Sequence, residues 1–107
     1  MAEEFTMRIE IKAMGFKLTT ALKAFIREHL IQMLERRADA VRSVIVRLSD
    51  LNGPRGGEDK LCRIQVDLMG RQMQFAQAVH SDAYAAIAEA SRRATRTVNR
   101  TLDQRSY

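Results

Sequence analysis

The chain has 107 residues, 46% of them hydrophobic and 29% charged, enough for one domain with a real core and too few for two. Its 18 lysines and arginines against 13 acids leave a net charge of +5 and a pI near 10.0, which favours a polyanionic partner, nucleic acid before an anionic membrane surface. The single Cys62 excludes an internal disulfide framework, Glu3 and Glu4 stand where a secretion signal would be basic, and no apolar run is long enough to span a membrane, so a reducing cytoplasm is the expected location.

Residues 7–12 alternate apolar and charged, which predicts a strand with one buried face. Gly15 marks a turn, and Thr19 or Thr20 then caps a helix in which Leu22, Phe25, Ile26, Leu30, Met33 and Leu34 share a face. That helix ends near residues 36–39. Lys23 and Arg27 form a basic flank on it at i,i+4 spacing, while Glu28 and Glu35 occupy another side. Residues 43–49 are rich in β-branched side chains and read as a second strand. Residues 50–59 hold three glycines and the only proline, the composition of a long hairpin loop. A third strand spans 60–69, with Cys62, Ile64, Val66 and Leu68 on one face. After a turn at Gly70-Arg71, a fourth strand is expected over 72–79.

The last element is a helix over about 82–102, capped by Ser81 or Asp82. At 3.6 residues per turn, Tyr84, Ile87, Ser91, Ala94, Val98 and Leu102 fall on one side. Arg92, Arg93, Arg96 and Arg100 fall on the other, and residues 90–102 contain no acid. A solvated face would mix Glu with Lys; here the only such pair is Glu89 with Arg93. The arginine stripe therefore expects its anions from outside. The resulting order, β-α-β-β-β-α, predicts an α/β (α+β) two-layer sandwich, a four-stranded sheet with both helices on one face. Its other face would carry Arg8, Glu10, Lys12, Arg47, Arg63, Gln65 and either Gln72 or Gln74 toward water.

Enzyme signatures are missing: no GxGxxG, phosphate-binding P-loop, nucleophile elbow or HExxH occurs. His29, His80 and Cys62 lack metal-ligand spacing, so no cofactor or metal is expected, and His80 with Asp82 has no accompanying nucleophile. The aromatic strand motifs of the RNA-recognition fold are absent. The Gly53-Pro54-Arg55-Gly56 match to a KH-type loop joins two strands rather than two helices. Cys62 and the methionines Met33, Met69 and Met73 read as core filler.

The pieces Ile9-Glu10-Ile11, Leu18-Thr19-Thr20-Ala21-Leu22, Val44-Ile45-Val46-Arg47-Leu48-Ser49 and, most specifically, Asp82-Ala83-Tyr84-Ala85-Ala86-Ile87 before Arg93, Arg96 and Arg100 resemble one family. It comprises the ribosome hibernation promoting factors and ribosome-associated inhibitors, historically called sigma-54 modulation proteins. The resemblance spans residues 7–102 and treats 1–107 as one ribosome-binding domain of the short form, without a C-terminal dimerisation domain. It implies a non-enzymatic factor on the small ribosomal subunit, contacting rRNA in the mRNA/tRNA channel, inhibiting translation and stabilising or pairing idle ribosomes. The expected rRNA contacts are Lys23, Arg27, Arg92, Arg93, Arg96 and Arg100, with Asp82 and Tyr84 seating the second helix. Neither a small-molecule substrate, nor a membrane, nor DNA is expected. The alternative is a regulator whose basic face binds an acidic protein.

Overall fold

The computed structural model describes residues 7–15, 17–51 and 59–104; the centre of the glycine-rich loop, including the Gly53–Gly56 match, lies outside them. The elements are β1 (Arg8–Met14), α1 (Thr20–Leu34) with a 3-10 turn at Glu35–Arg37, β2 (Val41–Asp50), β3 (Lys60–Leu68), β4 (Gln74–His80) and α2 (Ala83–Asp103). The order matches the β-α-β-β-β-α pattern of hydrophobic periods, and the sheet runs β1-β2-β3-β4. β1 pairs parallel to β2, with α1 as the crossover that a parallel pair requires, and the remaining pairs are antiparallel. β1, β2 and β4 therefore point one way.

Local chemistry sets the helix ends. The Thr19 side chain accepts from the Leu22 amide at 3.1 Å, and Asp82 accepts from the Tyr84 amide at 3.1 Å, each satisfying a first-turn donor that has no carbonyl partner. Gly15 has φ +88°, and a Cβ there would come within 3.3 Å of the Asp50 Cβ, so both the left-handed backbone and the close approach of β2 call for glycine.

One continuous core joins the layers. From α1 it takes Leu22, Ile26, Leu30 and Leu34; from the sheet Ile9, Val44, Val46, Leu48, Cys62, Ile64, Val66, Leu68 and Ala78; from α2 Ala86, Ile87, Ala90, Ala94 and Val98. α2 lies over β3 and β4 and touches α1 along its other flank. Alanines dominate where it meets the sheet, with Ala86, Ala90 and Ala94 on the helix and Ala76 and Ala78 on β4, so the layers approach closely. Cys62 is fully buried, and burial pushes its thiol up to about 12, the behaviour of an inert core residue.

Three details differ from the sequence reading. β4 begins at Gln74, so Gln72 precedes the strand; Gln74 faces the helices, where its Oε1 accepts from the Thr101 hydroxyl at 3.1 Å. The period-2 alternation then turns Phe75, Gln77 and Val79 to the uncovered side. Met69 and Met73 are exposed rather than core filler, because they flank the Gly70 turn (φ +71°) beyond the reach of either helix. Leu30 has no exposed surface. Leu30→Ala should cost about 2–5 kcal/mol, read as a lower urea midpoint at unchanged denaturant slope.

Candidate nucleic-acid interface

The basic side chains of α2 are set by the burial of its opposite side. With Ile87, Ala94 and Val98 against the sheet, Arg96 points straight out. Arg92 is turned roughly 40° toward α1 and Arg100 roughly 40° toward β4, at about 100° per residue. All three are exposed, and among the described residues none is paired with a carboxylate. Arg93 differs. Its guanidinium donates to the Gln77 carbonyl at 2.8 Å and to Glu89 Oε2, while His80 Nε2 donates to Glu89 Oε1 at 2.7 Å. Arg93 thus ties α2 to the edge of β4, so its phosphate-binding capacity is partly spent inside the fold.

His80 closes β4 and meets Glu89 across the layer boundary. The His80 hydrogen bond, and behind it the charges of Arg93, His80 and Arg92, hold the Glu89 carboxyl below its ordinary value. A carboxylate with a lowered folded-state pKa stabilises the fold above its unfolded value, near 4.3. That contribution is lost as pH falls through the lowered one.

Lys23 and Arg27 do not join the arginine stripe. They flank the other side of α1, where with Arg8, Ile9, Glu10, Ile11 and Leu18 they line an open groove along β1. The side of α1 facing α2 is occupied by Phe25 and His29, and its outer crest carries Ala24, Glu28 and Glu35. The helical layer therefore presents two basic strips separated by a crest that includes two acids. Arg8 and Glu10, which alternate with buried Ile9 toward the uncovered face, border this groove from the edge of β1.

Tyr84 meets α1 from the first turn of α2. It stays 40% exposed and meets Phe25 edge to face at 4.9 Å between ring centroids, while His29 lies tilted at 41° against Phe25, 4.2 Å between centroids. Lying on the flank of α2 that meets α1, it fixes helix against helix. The helices run parallel: this cluster joins their first turns, and Arg37, donating to Asn99 Oδ1 at 2.9 Å and also pairing with Asp103, joins their last.

Among the described residues, no group of three His, Cys, Asp or Glu is placed to hold a metal ion, and no helix is long and apolar enough to cross a membrane.

Two outcomes follow from this geometry. Tyr84→Ala should lose roughly 1–2 kcal/mol, less than the 3–5 typical of a fully buried aromatic, because a half-exposed edge-to-face contact is removed; chemical denaturation measures it. Glu89→Gln should lower the melting temperature at neutral pH, and the gap to wild type should narrow as pH falls below the ordinary carboxylate value, near 4.3, and close once it has fallen through the lowered folded-state one.

The chain matches the family model described as sigma 54 modulation protein / S30EA ribosomal protein over residues 9–106. Among solved structures it is similar to the N-terminal domain of Protein Y from Thermus thermophilus, with a TM-score of 0.74 and 27% identity over 89% of this chain and 99% of that one. The fold is also that of a ribosomal subunit interface protein from Coxiella burnetii, with a TM-score of 0.70 and 18% identity over 91% of this chain and 100% of the other. None of the curated proteins matches. The match over nearly the whole described chain settles its membership: it belongs to the sigma 54 modulation protein / S30EA ribosomal protein family.

Proposed function

We propose that the chain is a non-enzymatic, cytoplasmic ribosome hibernation factor, one domain that binds rRNA of the small ribosomal subunit in the mRNA/tRNA channel and inhibits translation while stabilising or pairing idle ribosomes. Membership of a family described as ribosomal supports the association. The observation that carries the chemistry is the exposed row Arg92, Arg96 and Arg100, without a carboxylate partner among the described residues. Guanidinium groups left free by the fold are suited to bidentate contact with phosphate. Lys23 and Arg27 supply a second strip on the other side of α1. The acidic crest between the strips disfavours a single continuous RNA strand over both helices, so the reading is of two separate phosphate tracks. Arg93 serves mainly to anchor α2, and only the part of its guanidinium not engaged by Gln77 and Glu89 is left to meet phosphate. The side-chain caps and the buried core contacts make the helices rigid, so a bound domain would occupy its groove as a plug.

Sedimentation tests the association: the protein should travel with ribosomes at high magnesium and with free small subunits when magnesium is withdrawn. Affinity should fall with salt at a log–log slope of about 0.7–0.9 per phosphate contacted, and Arg92→Ala/Arg96→Ala/Arg100→Ala should flatten that slope by roughly 2–3. An unchanged slope in the folded triple variant would remove α2 from the interface. Purified protein should block initiation on vacant ribosomes and act weakly on ribosomes preloaded with mRNA and initiator tRNA. Equal inhibition of both would place it outside the channel.

A further inference from the structure

The face of the sheet away from the helices is not simply a solvated surface. Pairing register aligns Lys12 with Arg47 and Arg47 with Arg63, so three cations occupy one row across three adjacent strands, about 4.8 Å apart per strand. Gln77 completes the row on β4. Like charges on directly opposed cross-strand positions repel. Lys12 has a distant partner in Glu10, at 3.8 Å. Arg47 instead donates to the Gln65 amide oxygen at 3.3 Å, and Arg63 lies over the Phe75 ring at 5.9 Å from its centroid. Among the described residues neither arginine meets a carboxylate. A polyanion laid across this row would relieve the repulsion that the free protein carries.

Phe75 supplies a second kind of contact. It is 53% exposed, beside the cationic row and in register with Gln65 and, through it, Ile45. A cationic track next to an exposed aromatic ring is the combination that holds single-stranded nucleic acid, phosphates on the track and a base stacked on the ring. The amides of Gln65 and Gln77 sit beside both, able to donate to and accept from base edges. A duplex, with its bases already stacked, has no use for the ring. A protein partner fits less well, because the exposed apolar residues Met14, Phe75 and Val79 are divided between the two edge strands and do not form one patch.

We propose that this uncovered face binds single-stranded RNA, with Lys12, Arg47 and Arg63 along its phosphates and Phe75 under a base. The site is separate from both helical strips and does not require the helix reading to hold. Fluorescence anisotropy with a labelled single strand of about 12 nucleotides, and a duplex of equal length, tests it. Lys12→Gln/Arg47→Gln/Arg63→Gln should weaken single-strand binding by on the order of tenfold or more and flatten the salt slope by about 2, three phosphates at about 0.7 each. Lys17→Gln/Arg36→Gln/Arg71→Gln removes the same charge from other exposed positions and should cost much less. Phe75→Leu, which keeps an apolar residue on the strand, should weaken the single strand several-fold and leave the duplex unchanged. Thermal melts confirm that each variant is folded.

Equal losses in the two triple variants would mean that only overall charge matters and would overturn the proposal. So would a single strand released only by Arg92→Ala/Arg96→Ala/Arg100→Ala, a result that leaves the helix reading intact. An effect of the sheet triple variant on displacement by poly-glutamate, with Phe75→Leu silent, would identify a dock for acidic protein and overturn it as well.

Discussion

The close contact between α2 and the β3–β4 half of the sheet is the constraint on which the rest depends. Ala86, Ala90 and Ala94 meet a strand that offers Ala76 and Ala78, and small residues on both sides bring the helix near enough for Arg93 to reach the Gln77 carbonyl. Once that side of α2 is committed, 3.6-residue periodicity leaves Arg92, Arg96 and Arg100 outside. Two-residue periodicity on β4 likewise turns Phe75 and Gln77 away from the helices. Both candidate RNA surfaces are consequences of one packed layer.

The charged groups near that contact divide into those that hold the fold and those left for a partner. His80, Glu89 and Arg93 form a chain of hydrogen bonds joining the end of β4 to α2, and Arg37 joins the two helix ends through Asn99 and Asp103. These arginines are already satisfied. Arg92, Arg96 and Arg100 on the helix, and Arg47 and Arg63 on the sheet, are exposed and, among the described residues, form no ion pair with a carboxylate. A net charge of +5 therefore understates how unevenly the positive field is spread, and unevenness rather than the total decides which face meets an anion.

Aromatic residues follow the same division. Phe25, His29 and Tyr84 close the seam between the parallel helices. This makes the Asp-x-Tyr motif a link between helices as well as a cap, Asp82 holding the first turn and Tyr84 bracing it sideways. Phe75 has no such role in packing and stands beside Arg63.

Element order, strand faces and helix caps were legible in the sequence because each follows from neighbours along the chain: alternation over 7–12 and 60–68, the apolar stripe of α1, and Thr19 and Asp82 before their helices. The outward set of the α2 arginines was legible for the same reason, and so was the Glu89–Arg93 pair at i,i+4. What the sequence could not decide depends on residues far apart in the chain. The start of β4 was set by its register with β3 and by the space α2 leaves, which turned Gln74 inward and Phe75 outward. Tyr84 meets Phe25 because the fold lays that flank of α2 along α1. Lys23 and Arg27 were parted from the arginine stripe by the side of α1 that packs on α2. The row of Lys12, Arg47 and Arg63 exists only through strand register: a one-residue slip between any two strands would send those side chains to opposite faces, and no local pattern specifies which residues become neighbours across a sheet.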